Sequence, residues 1–326
     1  MLEDMARVPL GHFPTPVHEL KNLSRFLGGP RILVKRDDMT GLATGGNKTR
    51  KLEYLIADAL AQEAKTVITT GGPQSNHARQ TAAAAARYGL GSVLVLSSMT
   101  PDVLTGNLLI DKLVGARIRW AGDRDRYTMM EEVAREETAA GRKPYIIPLG
   151  GSNAIGASAY VQGMDEMVRQ TLDMGLTPDH IVLASGSGGT QAGMITGARA
   201  FNYRGRILGI SVGALSEDLG RIICDLAQLT AGHLGLRFEI DPDTVHVNDD
   251  YVGGGYSVMG EAEREAIRLV ARTEGLLVDP VYTGRAMAGL IDLIGKGEFS
   301  RGETVLFWHT GGTPALFAYA DQLLGR

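Results

Sequence analysis

A recurring unit of a short apolar strand, a glycine-rich turn and a helix constrains the fold of this chain more than any other feature. One unit has its strand at residues 66–70 and its turn at Gly71-Gly72, and another has its strand at residues 181–185 and its turn at residues 186–190. Strands that alternate with helices are typical of α/β folds with largely parallel sheets. The sequence therefore predicts an α/β fold of parallel-rich twisted sheets flanked by helices, and its length of 326 residues predicts two domains.

Two other segments carry predictions about local structure. Residues 1–30 contain Pro9, Pro14 and Pro16, which break regular structure, so we expect an irregular arm there. Residues 278–282 are predicted to form a short strand that leads into a helix.

A further glycine-rich turn, Gly45-Gly46, directly precedes Lys48 and a predicted helix. Apolar residues recur at helical spacing from Leu52 to Leu60, which predicts one apolar stripe. Glycine lets the backbone turn tightly and lets a ligand approach closely, so Lys48 is well placed to meet a small molecule. Because ligands of parallel α/β sheets bind beyond the carboxyl ends of the strands, we expect the glycine-rich turns to share one site.

Charge and composition exclude several classes of function. The net charge of -4 is small, whereas nucleic-acid binders usually carry a basic stripe. No segment approaches the roughly 20 apolar residues that a membrane-spanning helix needs. The single cysteine, Cys224, cannot form an intramolecular disulfide and fits a reducing compartment. We therefore expect a cytoplasmic protein that binds neither nucleic acid nor membrane.

The motifs of metalloenzymes and serine hydrolases are missing from the sequence. The seven histidines are scattered and form no His-Glu-x-x-His pair, so no metal site is predicted. No Gly-x-Ser-x-Gly motif lies at a turn from strand to helix, which argues against a serine hydrolase.

The turn at residues 186–190 has the character of a phosphate-binding site. It opens a helix, where unpaired N–H groups and the positive end of the helix dipole attract anions, and Thr190 adds a hydroxyl donor. A phosphate site together with a lysine in a separate glycine-rich loop indicates a phosphorylated aldehyde held as a Schiff base. Pyridoxal phosphate is such a cofactor and acts as an electron sink, so it is the predicted cofactor.

Six segments that span nearly the whole chain resemble, in the same order, motifs of the D-cysteine desulfhydrase and 1-aminocyclopropane-1-carboxylate (ACC) deaminase family. They are GGNKTRKLE at residues 45–53, QSNHARQ at 74–80, GGSN at 150–153, ASGSGGT at 184–190, DPVYTG at 279–284 and HTGG at 309–312. The resemblance implies a pyridoxal-phosphate enzyme with a fold of the tryptophan synthase β-subunit type. It also implies a large domain of residues 1–49 and 161–326 and a small inserted domain of residues 50–160.

The resemblance assigns roles to the residues that carry it. Lys48 resembles the Schiff-base lysine, and Asn76 resembles the residue that hydrogen-bonds the phenolic oxygen of the cofactor. Thr310 is the candidate partner of the pyridine nitrogen. The implied catalytic residues are Lys48, Ser75, Tyr256 and Tyr282; the cofactor-binding residues are Lys48, Asn76, Gly186, Ser187, Gly188, Gly189, Thr190, Thr283 and Thr310; and the substrate-binding residues are Ser75, Asn76, His77, Tyr256 and Tyr282.

One position separates the activities within this family. ACC deaminases carry glutamate directly after the tyrosine that matches Tyr282, whereas this chain has Thr283. A carboxylate there would help keep the pyridine nitrogen protonated and strengthen the electron sink, which ring opening needs because it lacks a good leaving group. Thr283 therefore favours β-elimination, most simply of D-cysteine to pyruvate, ammonia and hydrogen sulfide. The resemblance further implies a homodimer that acts on a small amino acid.

Three alternatives stay open at this stage. L-cysteate, which would lose sulfite, is a close alternative substrate, because sulfo-lyases of this family look similar. ACC deamination is disfavoured by Thr283. A protein that binds pyridoxal phosphate without turnover is a third interpretation. The residues that argue against it are the intact Lys48, Ser75, Asn76 and Tyr282.

Overall fold

Two sheets of mostly parallel strands organise the protein, in a computed structural model that describes residues 5–98 and 103–325. The strands are β1 (Val17–Glu19), β2 (Arg31–Arg36), β3 (Thr66–Gly71), β4 (Gly91–Leu96), β5 (Arg117–Trp120), β6 (Pro144–Ile146), β7 (His180–Ser185), β8 (Arg206–Ser211), β9 (His246–Asn248) and β10 (Thr304–His309). The larger sheet has the order β1-β2-β10-β7-β8-β9, and the smaller has the order β5-β4-β3-β6. In both sheets the described strands pair in parallel, except that β1 is antiparallel to β2.

The helices flank these sheets. They are α1 (Lys21–Leu27), α2 (Lys48–Ala61), α3 (Asn76–Arg87), α4 (Gly106–Leu113), α5 (Arg126–Ala139), α6 (Ala154–Asp173), α7 (Gly189–Ala200), α8 (Ser216–His233), α9 (Glu261–Glu274), α10 (Thr283–Gly295), α11 (Ala315–Ala318) and α12 (Ala320–Leu324). None of the helices in the described ranges is long and apolar enough to cross a membrane.

The larger sheet is covered on both faces because its central strands are apolar on both sides. Successive side chains of a strand point to opposite faces. Val182 and Ala184 of β7 pack with α9 and α10, whereas Ile181 and Leu183 pack with α6, α7 and α8. A continuous apolar run such as this one is therefore fully buried, as expected for a strand in a parallel sheet.

The smaller sheet is covered in the same way, and one helix links it to the larger sheet. Leu94 of β4 packs against α3 and α4, while Val93 and Val95 pack against α5. Helix α2 contacts both α3 beside the smaller sheet and α6 beside the larger one. The residue at the start of α2, Lys48, is thereby placed between the two sheets.

The predicted α/β fold of parallel-rich sheets is confirmed, but two local predictions are wrong. The N-terminal arm contains β1 and α1, since β1 pairs with β2. Residues 278–282 do not form a strand. There the carboxylate of Asp279 accepts the backbone N–H groups of Val281, Tyr282 and Thr283, which turns the chain into α10.

The four strands of the smaller sheet fall within residues 66–146, inside the predicted small domain of residues 50–160. Helix α6 starts within that range and packs mainly on α7 and α2. The exact domain bounds stay a prediction.

Candidate active site

A cavity of about 320 Å³ lies where the carboxyl ends of strands from both sheets face each other. The loops that follow β3, β7, β8 and β10 all contribute to its wall. Most of the residues singled out from the sequence line it, namely Lys48, Ser75, Asn76, His77, Gly186, Ser187, Gly188, Thr190, Tyr256, Tyr282 and Thr310. Gly189 and Thr283 do not. The convergence expected from the glycine-rich turns is therefore found at this cavity.

Lys48 enters the cavity from the first position of α2. Its ammonium nitrogen donates to Oδ1 of Asn47 at 3.1 Å, and the amide nitrogen of Asn47 donates to the Thr190 hydroxyl at 3.1 Å. Burial lowers the pKa of Lys48 to about 8, against the opposing effect of the Asp279 carboxylate. A substantial fraction of Lys48 is therefore a neutral amine near pH 8, the form that can attack an aldehyde.

A buried ionic network fixes the helix that carries Lys48. Arg50 donates to Asp37 at 2.9 Å and to Glu166 at 2.8 Å, and Glu166 is also paired with Lys35. Burial alone would raise the pKa of Asp37, but the Arg50 guanidinium lowers it to about 2. Removing one member of a buried pair leaves an uncompensated charge, which is strongly destabilising, so this network holds the start of α2 in one position.

One end of the cavity is built to hold an anion. Helix α7 begins at Gly189, and its first N–H groups have no partner within the helix. Gly188 has a φ of +79°, which favours glycine. A Cβ atom on Gly189 would lie 2.8 Å from the ammonium nitrogen of Lys51, so the backbone and this lysine approach closely.

Lys51 lies beside this end of the cavity, although it is not a lining residue, and the sequence analysis did not single it out. Its ammonium nitrogen donates to the carbonyl oxygen of Gly150 at 3.0 Å. The hydroxyl of nearby Ser152 is hydrogen-bonded to the hydroxyl of Ser187 at 2.8 Å. Burial, reinforced by the charge of Lys48, holds the pKa of Lys51 well below its usual range. An anion beside Lys51 would restore its charge. The sequence spacing could have identified Lys51, because it lies three residues after Lys48 and residues i and i+3 share one face of a helix.

The opposite wall presents hydrogen-bond donors from the start of α3. The side-chain amide of Asn107 donates to Oδ1 of Asn76 at 3.0 Å, which leaves the amide nitrogen of Asn76 as the donor toward the cavity. Ser75 caps α3 by accepting the N–H of Ala78 at 3.1 Å, so its hydroxyl hydrogen can still donate. These groups suit a phenolic oxygen and a carboxylate.

Two tyrosines and a histidine complete this side of the cavity. The hydroxyls of Tyr256 and Tyr282 lie 2.5 Å apart, and burial raises the pKa of both phenols, which keeps them protonated at neutral pH. His77 lies 2.8 Å from the Thr69 hydroxyl, and burial holds its pKa well below the usual range. His77 is therefore a neutral imidazole.

Thr283 departs from its expected position facing the cofactor. Its hydroxyl donates to the Asp279 carboxylate at 2.7 Å and accepts the N–H of Asp279 at 2.7 Å. The side chain is fully buried in this turn because Asp279 needs local donors at the start of α10. Thr310, by contrast, lines the cavity.

Arg126, the first residue of α5, also lines the cavity and was missed. It follows the charged run Asp123-Arg124-Asp125, which is typical of a solvated surface segment. No pattern in the neighbouring sequence therefore indicates that Arg126 lines a cavity. Within residues 5–98 and 103–325, no cluster of three or more His, Cys, Asp or Glu side chains could hold a metal ion.

The residues present fit pyridoxal phosphate. The anion site at α7 and Lys51 would hold its phosphate, Lys48 would bind its aldehyde carbon, and Asn76 would donate to its phenolic oxygen. The backbone at Gly189 has no room for a side chain, as expected of a cradle that admits a phosphate closely.

Comparison with known proteins agrees with this geometry. A family model described as pyridoxal-phosphate dependent enzyme matches residues 8–311. The chain is 44% identical over 321 residues to a Salmonella choleraesuis protein named "D-cysteine desulfhydrase", covering 96% of each chain. It is 42% identical over 327 residues to a Pyrococcus abyssi protein named "Putative 1-aminocyclopropane-1-carboxylate deaminase", covering 99% of this chain and 97% of the other.

Solved structures show the same fold. A crystal structure titled as an ACC deaminase homologue superposes with a TM-score of 0.91 at 42% identity, covering 99% of this chain and 97% of that one. An Escherichia coli diaminopropionate ammonia lyase shares the fold with a TM-score of 0.66 at 19% identity, covering 96% and 86%. The predicted fold, cofactor and enzyme class are confirmed, the class being a pyridoxal-phosphate-dependent lyase. The chain belongs to the pyridoxal-phosphate-dependent enzyme family, in the group that contains proteins named as D-cysteine desulfhydrases and ACC deaminases.

Proposed function

We propose that this enzyme eliminates a sulfur group from the β-carbon of a small amino acid, with D-cysteine as the leading substrate and pyruvate, ammonia and hydrogen sulfide as products. The observation that carries this proposal is that none of the described residues lining the cavity is a carboxylate. The carboxylate of Asp279 does not line the cavity and instead accepts the hydroxyl of Thr283 in the turn before α10.

The absence of an acidic lining residue bears on the reaction because of the charge on the cofactor ring. Bound pyridoxal phosphate withdraws electrons from the α-carbon of an amino acid. A carboxylate beside the ring nitrogen would raise the pKa of that nitrogen and increase the withdrawal. Thr310 offers a hydroxyl instead, which supplies no charge. Elimination of a thiol has a good leaving group and needs less electron withdrawal than opening of a cyclopropane.

The side chains of the site have the positions that elimination requires. Ser75 and the first N–H groups of α3 would bind the substrate carboxylate. Lys48, as a neutral amine, would take the proton from the α-carbon. The protonated phenols of Tyr256 and Tyr282 share one hydrogen bond, so the remaining hydroxyl hydrogen of the pair would donate to the departing sulfur.

The names of the relatives do not separate the candidate reactions, because proteins named for one activity and proteins named for the other have nearly the same sequence identity to this chain, 42% and 44%. A pyruvate assay across D-cysteine, L-cysteine, L-cysteate, β-chloro-D-alanine and ACC separates them. We expect D-cysteine to release pyruvate and sulfide and ACC to be poor. Equal or faster turnover of ACC would support the deaminase alternative, and binding without pyruvate from any compound would support a binding protein.

We also propose that the enzyme is a homodimer in the cytoplasm. The support is the resemblance of its motifs to the family and the exposure of apolar side chains on neighbouring α4 and α11, where Leu113 is 75% and Phe317 is 69% exposed. Light scattering after size-exclusion chromatography tests the dimer, and a monomer at micromolar concentration would contradict it.

A further inference from the structure

Arg126 is a charged residue of the cavity wall that the proposed chemistry has not used. Two other arginines close to it in the sequence are paired, Arg124 with Glu132 and Arg117 of β5 with Glu137. The preceding carboxylate, Asp125, accepts instead from the backbone N–H and hydroxyl of Thr128 at 2.8 and 2.9 Å. The Arg126 guanidinium lies 5.4 Å from the centre of the Tyr127 ring. The hydrogen bonds from Thr128 lower the pKa of the exposed Asp125 carboxyl, and the charge of Arg126 adds a smaller effect in the same direction.

Arg126 lines the cavity together with Tyr256 and Tyr282, the tyrosines proposed for the reacting end. Burial raises the pKa of the Tyr256 phenol, and the charge of Arg126 acts in the opposite direction. Tyr256 in turn lies 3.5 Å from the position of a Cβ atom on Gly72, next to the Ser75 loop. Arg126 is thus near the reacting end and not in the phosphate site.

The anions expected in the cavity do not account for Arg126. The phosphate of the cofactor has the start of α7 and Lys51, and the substrate carboxylate has the start of α3 and Ser75. No acidic residue lines the described cavity wall, so no lining carboxylate pairs with Arg126. Its charge is therefore available for a second negative group on the substrate. Guanidinium groups form strong hydrogen bonds with such oxyanions.

We propose that Arg126 binds an anionic group on the β-carbon of the substrate, so that the site accepts amino acids with a β-oxyanion such as a sulfonate. This inference rests on the proposed function. For cysteate, the carbon–sulfur bond breaks and its electron pair leaves with sulfite, while the proton of the α-carbon passes to Lys48. Water then hydrolyses the released product to pyruvate and ammonia, and no oxidant or reductant is needed.

Binding of aspartate and asparagine tests Arg126 independently of turnover. Both are close in shape, and only aspartate carries a negative group on the β-carbon. With holoenzyme and calorimetry or the visible spectrum as readout, we expect the better-bound enantiomer of aspartate to bind about 10- to 100-fold more tightly than the matching asparagine. Arg126→Gln should abolish this preference, while Arg124→Gln, which changes an exposed arginine paired with Glu132, should keep it.

The outcomes separate this inference from the proposed function. No preference for aspartate in the wild type, or a preference that survives Arg126→Gln, would overturn the role of Arg126 even if D-cysteine is turned over. An equal loss of affinity for aspartate, asparagine and alanine would mean that Arg126 binds the common α-carboxylate. A failure of D-cysteine turnover with the preference intact would overturn the elimination of cysteine and leave the role of Arg126 standing.

With turnover as the readout, Arg126→Gln should raise the KM for cysteate by about 10- to 100-fold more than it raises the KM for D-cysteine. Melting temperature and cofactor absorbance serve as controls for folding. Equal changes for the two substrates would contradict a role at the β-substituent.

Discussion

The two ends of the cavity are built in different ways. The proposed phosphate end offers backbone N–H groups of one continuous turn, residues 186–190, and a lysine one helical turn from Lys48. The reacting end uses the side chains of Ser75, Arg126, Tyr256 and Tyr282, which come from four separate segments and from both sheets.

This difference separates the binding of the cofactor from the choice of substrate. A turn of small residues is fixed by local backbone geometry and recognises any phosphate in the same way. A group of side chains from distant segments can change one member without disturbing the phosphate. We therefore expect substitutions at the two ends to affect different measurable quantities.

The largest expected effect is at Lys48, where the two ends meet. Lys48→Ala removes both the covalent anchor and the proposed base, so we expect turnover to fall by on the order of 10³-fold or more. Pyruvate release and the visible absorbance of the purified protein measure the loss. Borohydride reduction of the wild type followed by peptide mapping should label Lys48, and a label on Lys51 or Lys35 would contradict the assignment.

A smaller effect, confined to the phosphate end, is expected for Lys51→Met. Methionine keeps most of the volume of this buried side chain but removes the charge-assisted hydrogen bond to a phosphate, so cofactor affinity should fall by about 10- to 100-fold. The KM for D-cysteine at saturating cofactor should stay nearly the same. The exposed Lys65→Met is the matched control, and unchanged affinity in a folded Lys51→Met protein would place the phosphate elsewhere.

The pH dependence of cofactor capture tests the state of Lys48 before the cofactor arrives. Because its pKa is lowered to about 8, the neutral amine is the minor form at pH 7 and the major form above pH 8. The rate of absorbance change after mixing apoenzyme with pyridoxal phosphate should rise about tenfold from pH 7 to about pH 9 and then level off. A rate that still rises beyond pH 10 would indicate an unperturbed lysine.

The smallest effects compare two threonines, of which one lines the cavity and one does not. Thr310→Val should change turnover several-fold with little effect on the melting temperature, since it removes a hydroxyl at the cavity surface. Thr283→Val should lower the free energy of unfolding by about 1–3 kcal/mol, because it removes the hydroxyl that donates to the buried Asp279 carboxylate and accepts the N–H of Asp279. If Thr283→Val instead lowered turnover at unchanged stability, and Thr310→Val lowered stability at unchanged turnover, the result would indicate that Thr283 faces the cofactor.

The sequence predicted the local parts of this site better than the long-range ones. The glycine-rich turns, the helix at Lys48 and the buried strand β7 follow from spacing within a few residues, and the structure contains them. The turn at Asp279 was predicted as a strand because the residues around it are apolar and β-favouring. The structure has a turn instead, because the Asp279 carboxylate accepts the backbone N–H groups that follow it. Arg126 could not be found, because only the packing of both sheets brings it to the cavity.

The position of β10 has a consequence for the synthesis of the protein. This strand comes last in the chain but lies in the middle of the larger sheet, between β2 and β7. The residue that follows it, Thr310, accepts the N–H of Asn47 at 2.9 Å and so supports the loop of Lys48. A ribosome must therefore synthesise the chain past Thr310 before the loop of Lys48 is held in place, and a nascent chain should capture the cofactor only after β10 and Thr310 have left the exit tunnel.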